Sequence, residues 1–238
     1  MCVICKDFMF LKRILMRTFN SVSSSWLDRT EPFSRTFGLD RGSAIDRKFV
    51  EKFLAENRHF IKGSVLEVGD DQYSRKFGSS LERVVVLAGQ GRDRRSESYF
   101  GDLTDPATFI RLGRFDCLIA TNVLNFIFDF KAAVRGLALL VKNKSGVCFV
   151  TVAGVVSISR FDYDRWGDYW RFNDMSIRKI FEEYFEHVEV RPYGNAPLAA
   201  AFVMGLSQED VPPRLFEHND PDYQILISVK AWSPKKRS

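Results

Sequence analysis

The sequence predicts an α/β fold in which helices cover both faces of a doubly wound, mostly parallel sheet of seven strands. Three observations support this prediction. Short apolar runs with the length of buried strands recur along the 238 residues. Segments whose apolar residues follow helical spacing separate several of these runs. Strands that alternate with helices are joined by right-handed crossovers, which make neighbouring strands parallel.

The predicted strands are the runs rich in Val, Ile, Leu and Phe. Five of them precede residue 155 and two follow residue 185. All are short enough to be strands of a globular domain. In chain order they are residues 64–68, 84–87, 98–100, 115–120, 147–152, 187–190 and 223–231.

The first predicted helix starts at Ile45, where Phe49 and Phe53 mark one apolar face. Asp46 falls in its first turn, where a carboxylate suits the helix dipole, and Gly63 is predicted to end the helix. Residues 20–43 are rich in Ser, Arg, Asp and Gly and are predicted to be irregular. Three further helices are predicted at residues 129–142, 176–185 and 198–205.

The N-terminal segment has a helical apolar pattern and carries basic residues on the rest of its surface. Two interpretations stay open: this helix packs on the domain or on a second subunit, or it lies on an anionic membrane surface as a peripheral contact. We therefore expect three parts. Residues 1–31 form a basic amphipathic helix with an irregular segment, residues 32–232 form the α/β domain, and residues 233–238 form a basic tail.

The net charge of +5 does not predict nucleic-acid binding, because residues 1–17 sum to +3 and residues 230–238 to +4. The body between the termini is close to neutral, whereas a protein that grips phosphates concentrates cations on its folded surface. Four cysteines are too few for a disulfide framework, and Cys2 and Cys5 lack a second ligand pair for zinc, so we expect no metal. No run reaches the ~18 apolar residues of a membrane span, and we expect a cytoplasmic protein.

In a sheet of this kind, ligands bind beyond the carboxyl ends of the strands. Gly69 follows the first predicted strand and allows a tight turn with close approach of the backbone to a ligand. Asp102 follows the third strand, where it could contact a ligand or cap a helix. The order and spacing of these two residues within one α/β domain favour a ligand site.

Six segments together resemble the motifs of class I S-adenosylmethionine-dependent methyltransferases. The resemblance covers about residues 32–232 and is nearest to small bacterial methyltransferases associated with glycosyltransferases and surface-polysaccharide synthesis. It implies the Rossmann-like methyltransferase fold, a sugar or glycan acceptor and a glycosyltransferase partner. The segments are Val65–Asp70, residues 101–103, 115–121, 37–42 with 45–47, 166–172 and 193–195.

The resemblance also implies roles for individual residues. S-adenosylmethionine would be bound by Glu67, Gly69 and Asp70 near its methionine part, and by Asp102 and Leu103 near its adenine. Asn122 would lie near the sulfonium and the acceptor, with a catalytic role.

Methyl transfer to a hydroxyl depends mainly on the collinear placement of nucleophile, methyl carbon and sulfur, and it also benefits from a general base. Asp168 is the first candidate for this base, ahead of Asp40 and Asp46. Five further residues are candidates for the acceptor site. Trp166, Tyr169 and Trp170 form an aromatic wall or cover the core, and Arg41 and Arg47 hold an acceptor anion or form surface ion pairs.

The sequence departs from the family's pattern at the second strand, which ends in Val86 and Leu87 instead of the acidic residue that accepts the ribose hydroxyls. Asp93 is the nearest substitute, and Asn125 stands where related sequences often have histidine. A non-catalytic binding or assembly module is therefore the alternative function. A nucleotide-sugar oxidoreductase is the third interpretation, which the missing Gly-x-Gly-x-x-Gly pattern disfavours.

Overall fold

The computed structural model describes residues 28–87 and 96–235. The predicted N-terminal helix, Asp93 and the end of the basic tail lie outside these residues. Phe33–Ser238 form one compact unit, which is separate from Met1–Pro32. Within Met1–Pro32, the described residues 28–32 form no helix or strand.

The larger unit is built around one β-sheet. Within the described residues it has seven strands in the order β3-β2-β1-β4-β5-β7-β6. All neighbours are parallel up to β5, and β7 pairs antiparallel with both β5 and β6. The strands are β1 (Gly63–Val68), β2 (Leu81–Leu87), β3 (Glu97–Tyr99), β4 (Cys117–Thr121), β5 (Val147–Ala153), β6 (Phe185–Tyr193) and β7 (Leu226–Pro234).

Seven α-helices connect or flank the strands in the described part of the chain. They are α1 (Ile45–Glu56), α2 (Gln72–Phe77), α3 (Pro106–Leu112), α4 (Phe130–Leu140), α5 (Arg160–Tyr163), α6 (Asp174–Tyr184) and α7 (Ala196–Val203). The predicted α/β sheet of seven strands is confirmed, and so is the doubly wound arrangement with helices on both faces.

The core consists of one apolar layer on each face of the sheet. Because side chains alternate along a strand, Val65 of β1 belongs to one layer with α1 and α7, and Leu66 belongs to the other with α4 and α6. The same alternation places Cys117 in the first layer and Cys148 in the second, both fully buried as free thiols. Burial raises the pKa of both thiols, which keeps them protonated.

Several predicted boundaries were wrong. Helix α1 ends at Glu56 and a short 3-10 helix follows it, so Gly63 begins β1 with a φ of +67° instead of ending the helix. Phe115 forms an isolated bridge with Val141 two residues before β4 begins. The last strand starts at Leu226 and includes Ser233 and Pro234, which were predicted to belong to the tail.

The irregular segment before α1 folds against the chain near residue 207. Phe33 N donates to Met204 O at 2.7 Å, and Gln208 Nε2 donates to Ala44 O at 2.7 Å. Gly38 lies so close to Leu206 that a Cβ atom would come within 2.8 Å of its carbonyl carbon. These contacts hold Phe37 beside the carboxyl ends of the strands.

Candidate functional site

Two adjoining cavities lie at the carboxyl edge of the sheet. The first has a volume of about 320 Å³ and the second about 270 Å³. They share Phe37, Thr121 and Asn122 as a common wall. The other residues of the first are Leu39, Ala44, Asp46, Arg47, Glu67, Val68, Gly69, Asp70, Gln72 and Tyr73. Those of the second are Asn125, Phe126, Ala153, Val156, Ser157, Ser159, Asp162, Asp168, Arg171 and Phe202.

The common wall contains two residues with unusual backbone conformation. Phe37 has a φ of +59° and Asn122 a φ of +53°, a region that bulky residues rarely adopt. Such conformations persist where the surrounding structure fixes them, and they concentrate at binding sites. Here they place a flat ring and an amide at the junction of the two cavities.

The loop after β1 forms the floor of the first cavity. Gly69 has a φ of +95°, its N–H donates to Leu87 O at 2.9 Å, and a Cβ atom there would meet nothing within 4 Å. The backbone is therefore open to a ligand at this point. Asp70 accepts a hydrogen bond from Gln72 N at 3.0 Å, which closes the turn into α2.

Glu67 is buried below this loop. Its two carboxylate oxygens accept hydrogen bonds from Tyr73 N at 3.0 Å and Ser74 N at 2.7 Å, the first turns of α2. Burial raises the pKa of Glu67 to about 7, although these N–H groups oppose the rise. Glu67 thus fixes the shape of the loop and still reaches the first cavity.

Asp46 and Asn122 both line the first cavity and are hydrogen-bonded to each other. Asn122 Nδ2 donates to Asp46 Oδ2 at 3.0 Å. The other side of the Asn122 amide is held by Thr151, whose hydroxyl lies 3.3 Å from Asn122 Oδ1. Burial raises the pKa of Asp46, and hydrogen bonds from Arg47 N–H and Asn122 oppose the rise.

Asp71, which follows Asp70 in the loop after β1, has a structural role. It is fully buried, and Ser96 Oγ donates to its Oδ2 at 2.6 Å while Arg75 Nη2 donates to Ser96 Oγ at 2.7 Å. These bonds join the β1 loop to the segment that enters β3. The spacing of Asp71 and Arg75, four residues apart at the start of α2, was the available signal.

Asp102 lies at the end of β3, outside the linings of both cavities in the described part of the structure. Its Oδ1 accepts hydrogen bonds from Thr104 N at 2.7 Å and Thr104 Oγ1 at 2.9 Å, and the side chain is exposed. The N-cap of α3 is Asp105, which accepts from Ala107 N, so Asp102 is not the cap. Leu103 is buried in the core.

Asp168 lines the second cavity as half of an ion pair. Its side chain is only 1% exposed, and Arg171 Nη2 donates to its Oδ2 at 2.9 Å, together with Ser159 N at 3.0 Å. Burial opposes ionisation, but these donors outweigh it and lower the pKa of Asp168. A carboxylate so paired is a weak base, and the geometry favours a positioning role for Asp168.

The two arginines predicted for the acceptor site, Arg41 and Arg47, lie in different places. Arg41 forms a bidentate pair with Asp210, with both nitrogen–oxygen distances at 2.8 Å, and does not line either cavity. The surface ion pair that was one of its two predicted roles is therefore present. Arg47 lines the first cavity instead of the acceptor side.

The aromatic residues form a rim beside the second cavity. Trp166 is 60% exposed and Tyr169 50%, and the Tyr169 ring packs edge-on against exposed Phe128. Trp170 is half-buried, packs on the core and donates from Nε1 to Phe128 O at 3.1 Å. Trp170 thus covers the core, whereas the side chains of Trp166 and Tyr169 are exposed to solvent.

Asn125 holds this aromatic rim in place. The sequence did not reveal this role. Its Nδ2 donates to Trp170 O at 2.7 Å and its Oδ1 accepts from Ala153 N at 3.1 Å, while its backbone oxygen accepts from Tyr169 N. The buried amide therefore ties the aromatic segment to the end of β5.

Neither a family model nor a curated protein matches the sequence. Among solved structures, the CurJ carbon methyltransferase is 17% identical with a TM-score of 0.50, over 83% of this chain and 57% of that one. This likeness shows the fold. The chain has a Rossmann-like methyltransferase fold.

Two other solved structures are similar at lower scores. The N-methyltransferase NodS from Bradyrhizobium japonicum, in complex with S-adenosylhomocysteine, is 13% identical over 91% of this chain and 94% of that one, with a TM-score of 0.47. A Haemonchus contortus phosphoethanolamine N-methyltransferase 2, in complex with S-adenosylmethionine, is 14% identical over 85% and 60%, also with a TM-score of 0.47.

The described residues hold no group of three or more metal-ligating side chains, and none of their helices is long and apolar enough to cross a membrane.

Proposed function

We propose that the protein transfers a methyl group from S-adenosylmethionine to a hydroxyl group of a sugar or glycan. The observation that carries this proposal is the pair of cavities that meet at Asn122 on the carboxyl edge of a methyltransferase fold. A cofactor and an acceptor would each occupy one cavity and face each other across that wall.

The first cavity suits the cofactor. The open space over Gly69 admits a ligand against the backbone, and Glu67 and Asp70 provide carboxylates on the same side. S-adenosylmethionine supplies an electrophilic methyl group when it is bound. Asn122 and Phe37 would orient the two reactants, because both residues belong to both cavities.

The second cavity suits a hydroxylated acceptor. Ser157, Asp162 and Arg171 supply hydrogen-bonding groups inside it. The exposed rings of Trp166 and Tyr169 lie in the segment beside it, and flat aromatic faces pack well against the apolar faces of sugars. Asp168 keeps Arg171 in place by the ion pair described above.

Calorimetric titration with S-adenosylmethionine and S-adenosylhomocysteine tests the cofactor part. Micromolar binding that Gly69→Val abolishes, in a variant whose cooperative thermal unfolding shows that it still folds, would support the site, because valine fills the open space above the loop and also strains the positive φ that the turn requires. Asp102→Ala tests separately the adenine contact that the resemblance implies for this exposed residue. Absence of binding at millimolar concentrations of both ligands would contradict the proposal.

A non-catalytic binding or assembly module remains the second candidate. The apolar end of β2 favours it, since Leu87 stands where an acid would accept the ribose hydroxyls. Transfer of a labelled methyl group to a glycan pool would exclude this candidate.

Further proposals concern partners and location. The family resemblance implies a glycosyltransferase as protein partner, and co-purification with glycosyltransferases of the same cell tests this. The hydropathy of the sequence leads us to propose the cytoplasm as location, and its charge distribution disfavours nucleic acid as a partner. For the amphipathic pattern within residues 1–31, two proposals stay open: packing on the domain or on a second subunit, or peripheral contact with a membrane.

A further inference from the structure

The first cavity contains more acidic than basic side chains. Asp46, Glu67 and Asp70 line it, against Arg47 as the one cation among its lining residues in the described ranges. Such a cavity attracts a ligand that carries positive charge. S-adenosylmethionine and S-adenosylhomocysteine have the same amino and carboxylate groups, and they differ in the methyl group and the positive charge of the sulfonium.

The three carboxylates are engaged differently. Glu67 accepts backbone hydrogen bonds on both oxygens, from Tyr73 and Ser74. Asp70 accepts from Gln72 N in the turn below the cavity. Asp46 alone among them is bonded to Asn122, the residue shared with the second cavity. It therefore lies on the side of the first cavity where cofactor and acceptor would meet.

Asn122 holds the Asp46 carboxylate in a fixed direction. Its backbone N–H donates to Thr151 O at 2.8 Å, and its Oδ1 lies 3.3 Å from the Thr151 hydroxyl. With the oxygen of the amide on Thr151, the nitrogen faces Asp46 Oδ2 at 3.0 Å. The position of the carboxylate is thus set by β4 and β5 as well as by α1.

We propose that Asp46, oriented by Asn122, is the residue by which the site distinguishes the sulfonium of S-adenosylmethionine from the neutral thioether of S-adenosylhomocysteine. This inference rests on the proposed function. A carboxylate within a partly enclosed cavity interacts more strongly with a nearby cation than it would in bulk water. Loss of the charge on methyl transfer removes this attraction and favours exchange of product for fresh cofactor.

Calorimetry of both ligands on the wild type and on Asp46→Asn tests this inference. We expect the variant to bind S-adenosylmethionine on the order of tenfold more weakly, and S-adenosylhomocysteine less than about threefold more weakly. Glu56→Gln is the matched control, because this exposed carboxylate lies in the same helix α1, does not line the first cavity and pairs with Arg191. It should leave both affinities unchanged.

Asn122→Gly provides a second variant, since glycine tolerates the positive φ while the amide is lost. Asn122→Gly should lower the ratio of the affinity for S-adenosylmethionine to that for S-adenosylhomocysteine, but by less than Asp46→Asn does. Two results for Asp46→Asn would overturn the role of Asp46: an equal loss of affinity for both ligands, or no loss of affinity for either. Both results would leave the proposed function intact. If the wild type binds neither ligand, the proposed function fails and the inference fails with it.

Discussion

The Glu67 carboxylate is buried at the end of β1 and has a pKa of about 7, above the ordinary value of 4.5. Burial is the main cause, since desolvation penalises the charged form. The folded protein therefore holds a proton on Glu67 between about pH 5 and pH 7, where the unfolded chain has released it. Because the native state binds more protons in this window, its stability falls as the pH rises through it.

We expect the free energy of unfolding of the wild type, relative to Glu67→Gln, to decrease by about 2.5 kcal/mol between about pH 5 and pH 8. Glutamine stays neutral across this range, so the difference isolates the ionisation of Glu67. Urea denaturation at several pH values measures it. The exposed Glu186→Gln is the control and should show no such trend. A difference that is constant with pH would contradict the prediction.

Residue types at the strand ends could be predicted from the sequence, but their partners could not. The order of Glu67, Gly69 and Asn122 along the chain identified the edge of the sheet on which the first cavity lies. The Asn122–Asp46 bond joins residues 76 positions apart, and no local pattern indicates it. The ion pair of Asp168 with Arg171 joins residues three positions apart, but nothing in the local sequence indicates that both residues line the second cavity.

At the level of elements, α6 and α7 both have asparagine as the N-cap residue, and the two asparagines lie in different environments. Asn173 caps α6 at the surface and accepts from Ser176 N. Asn195 caps α7 and is buried, and its amide also donates to Leu215 O at 2.7 Å and His218 O at 2.8 Å. Asn195 therefore holds a loop as well as a helix.

Asn195→Ala should destabilise the protein by about 2–3 kcal/mol, because the carbonyl groups of half-buried Leu215 and exposed His218 lose their buried donor in addition to the loss of the cap. Asn173→Ala should cost about 1 kcal/mol, the usual effect of losing an exposed cap. Urea denaturation midpoints of both variants measure the difference. Equal losses would show that the bonds from Asn195 to the loop contribute nothing.

Long elements were predictable because their pattern repeats, and short ones were not. Helix α4 has a sustained apolar face and was predicted within a residue or two of its bounds. Helices α2 and α3 have six and seven residues, too few for the helical period to show. Asp105 and Pro106 mark the start of α3 through the N-cap and the first-turn proline, a signal that the sequence contained.

At the level of the whole molecule, the sheet brings distant segments to one edge. The irregular segment before α1 is held by residues more than 160 positions away, through Arg41 with Asp210 and Ser43 with Glu209. The sequence predicted that this segment is irregular, while its attachment depends on the finished fold. Phe37 could not be recognised as a wall of both cavities for this reason.

Deletion of residues 1–27 tests whether the α/β domain folds on its own. The two apolar layers are built from residues between Phe37 and Ala231, so the deletion removes none of the core members described. We expect the free energy of unfolding to change by less than about 0.5 kcal/mol and the melting temperature by less than about 2 °C. Scanning calorimetry of the full chain and the shortened chain measures both. A much larger fall in melting temperature, or loss of a single cooperative transition, would show that the N-terminal segment stabilises the domain and that its boundary near residue 32 is wrong.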